Sequence, residues 1–415
     1  MTGWKRCKEP VKSLLILLLT ASACFLMIRS GVFSAVLREH TQLAAPNVPQ
    51  ENELSYSAAA LPTAAAVNSP NGFCYGLKYD SEALNSLYQE LSAYLGEAIG
   101  SASEPVRMSE KSWLRLLEGA GLYLDYDCAV PLNALAAWLG VETPWENSLC
   151  TMLLSEGENG SVLFCFRNAV GVCWRSETAG LWKSLWERLN TYLPNGASFA
   201  CHWDALSDCE PSMLVLEQLP EKHRILAAGA QDAPARLLAE KTGVNLSGQN
   251  RYSEPDGTVV YPGESGVIRL HPDGSVSYSA TEGSCLAEAG TVPAMLERSR
   301  ALMEELHTAF AGDEQLRFRS CSLKDGNGTV EFEYFCEGLP IICASGAAAR
   351  ATWVDGKLTE LRILPRTYRI TEKAVELLPE KQAAAAAGSR RKGSEACLTF
   401  YDGGDEQLIP FWQVK

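Results

Sequence analysis

Residues 149–176 have the sequence LCTMLLSEGENGSVLFCFRNAVGVCWRS, which consists of three short apolar segments separated by turn residues. The segments are rich in Leu, Val, Phe and Trp, as expected for strands that are buried on at least one face. Asn159-Gly160 lies between the first two segments, and this dipeptide favours the positive φ angles of a hairpin turn. The stretch therefore predicts an antiparallel meander.

Helical segments are predicted on both sides of this meander. Asp80 can cap a helix whose apolar residues recur at spacings of three and four up to Gly100. A second helix is bounded by Pro131 and Gly140, the expected residues just inside a helix start and just past its end. Thr291 can cap a longer helix with one apolar face.

Repeated Asp-Gly pairs indicate tight turns in the second half of the chain. They occur at residues 256, 273, 325, 355 and 402, beside short apolar or β-branched segments, which predicts small antiparallel sheets. A helical region is expected from Thr371, interrupted or restarted at Pro379, followed by two closing strands, ACLTFYD (396–402) and QLIPFWQV (407–414). The predicted fold class is α+β, with small antiparallel sheets packed with helices in several tandem extracytoplasmic subdomains behind one N-terminal transmembrane helix.

The amino-terminal region has the pattern of a membrane anchor. Residues 13–28 carry no charge, and Lys12 and Arg29 bracket them. Sixteen helical residues extend roughly 24 Å, and apolar residues continue to residue 37, which brings the segment close to the roughly 30 Å of a hydrocarbon core. Four cations precede the segment, so the positive-inside rule predicts a cytoplasmic amino terminus and an extracytoplasmic body. A cleaved signal peptide and a lipoprotein modified at Cys24 are the alternatives.

The remaining chain divides by composition. Residues after 38 are rich in Ala, Pro, Asn and Ser without a repeating apolar pattern, which is typical of a flexible linker. Two strand-like segments, SFACHW (198–203) and SMLVLEQL (212–219), precede a stretch with weak local patterns, and a boundary is expected near Pro220. The predicted organisation is a cytoplasmic tail (1–12), a transmembrane signal anchor (13–37), a flexible linker (38–72), a first α+β domain (73–220), a middle β-rich domain (221–290) and a C-terminal α+β domain (291–415).

Charge excludes one class of partner. The chain has 36 Lys and Arg against 50 Asp and Glu, a net charge of −14. Because Lys5, Arg6, Lys8, Lys12 and other cations of the first 38 residues are opposed by Glu9 alone, the exported part is more acidic than the whole. Binding to nucleic acid depends on basic surfaces, so we expect no nucleic-acid partner.

The inventory of reactive residues predicts no catalytic, metal or cofactor site. Twelve of the 14 cysteines follow the anchor, none in a C-x-x-C pair, and Cys201-His202 with Cys209 lack the second pair that a zinc site needs. The five histidines form no recognisable motif with a nucleophile, and His271 and His307 are expected to be structural. The even number of exported cysteines permits disulfides as well as buried thiols, and the sequence leaves that choice open.

Two parts of the chain resemble YycH/YycI-type regulators of two-component systems. The anchor KEPVKSLLILLLTASACFLMIRSG (8–31) is similar to theirs, with a Lys-Ser step before one Leu-rich span. The carboxy-terminal segments YFCEGLPI (334–341), LPRTY (364–368), LLPEKQA (377–383) and LIPFWQV (408–414) are similar to the YycI and PepSY-like modules. The residues that carry this second likeness, expected to be structural, are Gly338, Leu339, Pro340, Asp355, Gly356, Pro379, Pro410 and Trp412.

The resemblance implies a non-catalytic, membrane-anchored accessory regulator of a cell-wall sensor histidine kinase of the WalK/YycG kind. The implied partners are that kinase in the plasma membrane, a sister regulatory subunit and the lipid bilayer. Small residues allow transmembrane helices to approach closely, and the predicted contact surface of the anchor consists of Lys12, Ser13, Thr20, Ala21, Ser22, Ala23 and Arg29. The alternative function is an anchored envelope or sporulation protein with a PepSY-like binding or protease-inhibitor role, acting only through its exterior. An extracytoplasmic enzyme is a third, less favoured interpretation.

Overall fold

The computed structural model describes residues 61–70, 74–247 and 249–415. The predicted cytoplasmic tail, the predicted anchor and most of the predicted linker lie outside these residues, so those assignments stay predictions. Within the described ranges, no helix is both long enough and apolar enough to cross a membrane.

The meander predicted from residues 149–176 is confirmed as the centre of an antiparallel sheet, here called the N-terminal sheet. Asn159 and Gly160 have φ angles of 57° and 76° and lie in the connection between two of its strands, Ser148–Glu156 and Ser161–Arg167. The strand order is β2-β1-β4-β5-β6-β7-β3. The strands of this sheet in the described residues are β1 (Ala64–Asn68), β2 (Cys74–Lys78), β3 (Val106–Met108), β4 (Gly121–Pro131), β5 (Ser148–Glu156), β6 (Ser161–Arg167) and β7 (Cys173–Leu181).

Regular structure begins earlier than the sequence indicated. Residues up to 72 were expected to belong to the linker, but Ala64–Asn68 form β1, which pairs with both β2 and β4. All five residues of this strand are buried, and Ala65 and Ala66 have no exposed surface. The sequence AAAVN has no alternation of apolar and polar residues because both faces of the strand are covered, so its composition resembled that of a linker.

Two of the predicted helices are confirmed by their N-terminal caps. The Asp80 carboxylate accepts the Ala83 N–H at 3.0 Å, and the Thr291 hydroxyl accepts the Ala294 N–H at 3.4 Å. The helix after Pro131 ends before Gly140, whose φ is +74°. The helices in the described part of the chain are α1 (Ser81–Gly100), α2 (Glu110–Leu117), α3 (Leu132–Trp138), α4 (Trp182–Leu189), α5 (Asp232–Thr242), α6 (Val292–Thr308) and α7 (Glu380–Arg390).

The second half of the chain is built from short strands, as the Asp-Gly pairs predicted. Asp355 and Gly356, with φ angles of 50° and 75°, form the turn of one of its hairpins. The described strands after the N-terminal sheet are β8 (Ser198–Phe199), β9 (Leu214–Val215), β10 (His223–Gly229), β11 (Tyr252–Ser253), β12 (Val259–Pro262), β13 (Gly266–Leu270), β14 (Val276–Ala280), β15 (Gln315–Cys321), β16 (Gly328–Cys336), β17 (Leu339–Cys343), β18 (Ala349–Val354), β19 (Lys357–Ile363), β20 (Arg366–Ala374), β21 (Ala396–Asp402), β22 (Gln407–Leu408) and β23 (Phe411–Val414).

Most of these strands form one large sheet, here called the C-terminal sheet. Its order is β11-β12-β13-β14-β19-β18-β16-β17-β21-β23, and β15 pairs with β16 along residues 330–335, off this path. The pairing of β14 with β19 joins strands from both sides of the boundary expected at residue 290. The proposed division at residues 220 and 290 stays a prediction. The α+β class, with antiparallel sheets and packed helices, is confirmed.

A small third sheet corrects two local predictions. Residues 371–374 were expected to be helical but belong to β20, and the helix starts only after Pro379. The stretch after Pro220 was expected to have little local structure but contains β10 and α5. Strand β10 lies between β20 and β22. These pairings join residues more than 130 positions apart, and a local sequence pattern carries no information about them.

The strand-like segments before Pro220 are strands only over two residues each. Ser198–Phe199 pair with Leu214–Val215, and Ala200–His202 and Asp204–Leu206 are short 3₁₀ helices. Leu206 and Val215 are buried in a small apolar cluster with alanines of α7. Apolar burial therefore explains the composition of these segments better than extended pairing does.

Candidate functional site

The predicted membrane contact surface lies outside the described residues. This surface consists of Lys12, Ser13, Thr20, Ala21, Ser22, Ala23 and Arg29, and its role stays a prediction. The carboxy-terminal motif residues are all described, and they lie at turns and strand or helix starts.

The motif residues fall into three places in the fold. Gly338 lies in the turn between β16 and β17, and Leu339 and Pro340 begin β17. Asp355-Gly356 form the turn between β18 and β19. Pro379 precedes the first turn of α7, Pro410 precedes β23, and Trp412 lies within β23.

Gly338 brings its turn into direct contact with the start of helix α1. A Cβ atom at this position would lie 2.5 Å from the carbonyl carbon of Tyr79, and the φ of +76° also favours glycine. Lys222 holds the same junction, since its ammonium donates to the Tyr79 carbonyl and to the Glu337 carbonyl, both at 2.8 Å. The motif therefore positions the first helix of the described chain against the C-terminal sheet.

A cavity of about 590 Å³ opens beside this junction. Five carboxylates line it, from Asp80, Glu82, Glu221, Asp313 and Glu337, with Lys222 as the one basic residue among its described lining. Several of these carboxylates already have structural partners. Glu337 accepts from the backbone N–H of His223 at 2.8 Å and contacts the His223 imidazole at 2.6 Å, and Asp313 accepts the Ile370 N–H at 2.8 Å.

A buried charge network lies behind the junction. Lys78 of β2 contacts Glu380 of α7 at 3.1 Å and Glu395 at 3.5 Å. The Tyr79 hydroxyl and the Leu216 N–H also donate to Glu380, at 3.2 and 2.8 Å. Burial is the largest single influence and disfavours the charge on Lys78, but the combined attraction of Glu380, Glu395 and nearby Tyr79 and Cys397 outweighs it and raises the Lys78 pKa well above its ordinary value.

Asp125 lines a neighbouring cleft of about 380 Å³ and has a perturbed pKa. Burial, followed by repulsion from Glu395 and Asp127, raises the pKa of Asp125 to about 7. The Tyr123 hydroxyl and the Asp127 N–H donate to the Asp125 carboxylate at 3.3 and 2.8 Å. Burial also raises the pKa of Glu333 to about 7, with repulsion from Asp127 as the next cause. Both carboxyl groups therefore titrate closer to neutral pH than an ordinary carboxyl group.

The cysteines do not form a reactive site in the described chain. All twelve cysteines of the described residues are free, and Cys201 is the exposed one among them. Burial raises the pKa of the thiols, for example to about 11 at Cys150 and at Cys343, which disfavours the nucleophilic thiolate. No group of three or more His, Cys, Asp and Glu side chains in the described ranges is arranged to hold a metal ion.

His271 and His307 each contact a neighbouring polar side chain. His307 contacts the Glu314 carboxylate at 3.0 Å and is buried on α6. His271 contacts the Ser277 hydroxyl at 2.8 Å across the turn between β13 and β14. Neither His271 nor His307 lines the two cavities described above. These contacts satisfy the imidazoles locally.

Sequence reasoning did not identify the buried network or the perturbed carboxylates. Lys78 and Glu380 are separated by 302 positions, and Asp125 and Glu395 by 270. The available signal was a charged residue inside an otherwise apolar strand, as in LYLDYD around Asp125. That signal marks an unusual residue but does not identify its partner.

Comparison with known proteins gives a likeness of fold. No protein family and no curated protein matches the sequence. Among solved structures, the crystal structure of YycH from Bacillus subtilis matches with a TM-score of 0.53 and 12% sequence identity, over 87% of this chain and 94% of that chain. The chain is therefore similar in fold to YycH over nearly the whole length of both.

Proposed function

We propose that the chain is a membrane-anchored accessory regulator of a sensor histidine kinase of the WalK/YycG kind, and that it acts without catalysis through its transmembrane helix and extracytoplasmic domains. The observation that carries the proposal is the fold likeness to YycH across 87% of the chain, together with the resemblance of the anchor and the carboxy-terminal motifs. A sister regulatory subunit is a further proposed partner.

The proposed mechanism is helix pairing in the bilayer. Spans that lack a hydrophobic driving force associate through close packing, which small residues such as Ala21 and Ala23 permit. A regulator can shift a two-state kinase only if it binds the two states with unequal affinity, and typical coupling energies are about 1–3 kcal/mol. The extracytoplasmic part would then set the position of the helix through the linker.

The direct test enlarges the small residues of the anchor. Ala21→Leu with Ala23→Leu should reduce the regulator's effect on a kinase-dependent reporter by about fivefold or more, the lower end of typical coupling. A matched control, Leu18→Ile with Leu26→Ile, changes shape in the same helix without changing volume and should leave the reporter output unchanged. Normal output from the Ala21→Leu, Ala23→Leu variant, at wild-type protein level, would reject the mechanism.

Exchange of the whole anchor separates this function from the alternative. The exported residues are fused to an unrelated single span of equal length, and the same reporter is measured. Loss of regulation supports action through the helix. Full regulation by the exchanged protein would favour an envelope protein that acts only through its exterior.

A further inference from the structure

A second surface of the molecule has the opposite charge from the cavities described so far. A cavity of about 390 Å³ lies where β3, α2 and β7 meet. Three arginines line it: Arg107 on β3, Arg115 on α2 and Arg175 on β7. No carboxylate is among the described residues that line it. In a chain with a net charge of −14, a cavity lined by three cations is unexpected.

The three guanidinium groups are available to a ligand. All three side chains are exposed, and no ion pair involving them is found within the described ranges. Arg107 lies 5.2 Å from the centre of the Trp174 ring, a contact that orients the group and leaves its N–H donors at the ring edges free. Unpaired arginines at a shared cavity cost electrostatic free energy through mutual repulsion, which a bound anion would remove.

Hydroxyl donors and a helix start add to the same cavity. Ser109 caps α2, and its hydroxyl lies 2.8 Å from that of Ser112, which also lines the cavity. The first turn of a helix favours negative charge through its unsatisfied N–H groups. Leu116 and Leu163 form an apolar part of the wall, so the cavity can hold a ligand with an anionic group and a short carbon skeleton.

The acidic residues around the cavity do not neutralise it. Glu110 lies in the first turn of α2 and is exposed. Glu177 lies two residues after Arg175, and its carboxylate accepts from Ser161 at 3.0 Å. Lys111, also in the first turn of α2, offsets the charge of Glu110. The three arginines therefore determine the sign of the charge at the cavity.

We propose that the cavity lined by Arg107, Arg115 and Arg175 binds a phosphate group carried by a small ligand or by a lipid headgroup. Three guanidinium forks and the one hydroxyl that the Ser109–Ser112 hydrogen bond leaves free supply donors from several directions, which suits the tetrahedral arrangement of phosphate oxygens better than a flat carboxylate. Two negative charges would compensate most of the three positive ones. None of the residues that line this cavity belongs to the predicted anchor (13–37), on which the proposed function rests.

The test measures binding of inorganic phosphate and of glycerol 3-phosphate to the full-length protein in a nonionic detergent by isothermal titration calorimetry. We expect saturable binding with one site. Arg115→Gln with Arg175→Gln should weaken it at least tenfold, equivalent to about 1.4 kcal/mol. Arg175→Lys keeps the charge but loses the fork, and it should have an intermediate affinity.

The matched control is Arg251→Gln, which removes an exposed arginine elsewhere and should leave the affinity within twofold. The unfolding midpoint of each variant verifies that the fold is intact. Absence of saturable binding, unchanged affinity in the Arg115→Gln, Arg175→Gln variant, or equally tight binding of acetate would each overturn the proposal.

The source of the phosphate is determined by reconstitution into nanodiscs. If either phosphatidylglycerol or phosphatidylcholine discs weaken the binding of inorganic phosphate relative to the nonionic detergent, which carries no phosphate, the lipid headgroup competes for the cavity and is the natural ligand class. If the discs and the detergent give equal affinities, the site accepts a soluble phosphate compound. Either result supports phosphate binding and leaves the test of kinase regulation unaffected.

Discussion

At the residue scale, point mutations can test separately the effects of backbone conformation, burial and charge. Gly338 is a case in which both backbone conformation and close approach require glycine. Its φ is +76°, and a Cβ would lie 2.5 Å from the Tyr79 carbonyl carbon. Gly140 has nearly the same φ, +74°, but nothing lies within 4 Å of its missing Cβ.

Gly338→Ala should therefore destabilise the protein more than Gly140→Ala. Both variants place Ala in the left-handed region, at a cost of about 1–2 kcal/mol. Only Gly338→Ala must also displace the backbone at Tyr79. The comparison is the free energy of unfolding from urea titrations, and equal losses in the two variants would show that the contact with Tyr79 is unimportant.

The state of the cysteines is a second prediction at this scale. We expect all twelve described cysteines to react with an alkylating reagent after denaturation without any reductant, because all are free. In the native protein, Cys201 should be labelled first, because it is the exposed one among the described cysteines. Its labelling should still be slow near neutral pH, because partial burial of the thiol raises its pKa to about 11. Peptide mapping by mass spectrometry gives both results, and a disulfide-linked pair of peptides would contradict the first.

Asp125 should make the protein less stable as pH rises towards neutrality. Its pKa is raised by burial from 3.8 to about 7 in the folded state, so between these values the folded state binds more protons than the unfolded state. The stability that this group contributes is complete below pH 3.8 and is lost as pH rises through about 7. The urea midpoint of Asp125→Asn should therefore fall less between pH 4 and pH 7 than that of the wild type. Asp204→Asn, an exposed control, should retain the wild-type slope.

At the element scale, patterns within one segment predicted structure well, and pairing between distant segments did not. The Asn159-Gly160 hairpin, the Asp80-capped helix and the Asp355-Gly356 turn depend on neighbouring residues, and all three are confirmed. Strands β1 and β20 depend on partners far along the chain, and their segments were expected to be linker and helix. At β1, burial on both faces removes the alternation by which a strand is recognised. Strand β20 is mostly exposed, and its extended form depends on its pairing with β10.

Strand β1 yields a prediction about truncation. A protein that begins at residue 61 retains β1 and should unfold cooperatively, whereas one that begins at residue 74 should be aggregated or poorly folded. Removal of β1 leaves the facing edges of β2 and β4 without hydrogen-bond partners and exposes a side of the core. Circular dichroism and thermal unfolding of the two proteins provide the measurement. Equal folding of both would mean that β1 is dispensable.

At the scale of the whole molecule, the buried contact between Lys78 and Glu380 joins a strand near the start of the described chain to a helix near its end. The side chain of Glu380 is fully buried, and that of Lys78 is 7% exposed. The main apolar cluster extends from Leu61 to Leu408, whereas the buried alanines of α7 belong to a smaller cluster, so the charge contact joins elements that pack in two different clusters.

Lys78→Met should reduce the free energy of unfolding by roughly 3–5 kcal/mol, because it leaves the Glu380 carboxylate buried without its cation. Adding Glu380→Gln should restore part of the loss. The matched control is Lys183→Met, which breaks an exposed contact of 3.9 Å with Glu187 and should cost less than about 1 kcal/mol. Urea unfolding of the four proteins forms the test, and a Lys78→Met loss as small as the control would refute the role of the buried pair.

The sequence alone determined the α+β class, the hairpins and helix caps, the acidic character of the chain and the resemblance to YycH/YycI-type regulators, because each depends on composition or on residues within a few positions of one another. Only the tertiary structure decided the paired strands β1, β10 and β20, the contact of Gly338 with Tyr79, the Lys78–Glu380 pair and the cavity lined by Arg107, Arg115 and Arg175. These features join residues separated by tens to hundreds of positions. Their geometry follows from how the sheets pack, and no local pattern encodes it.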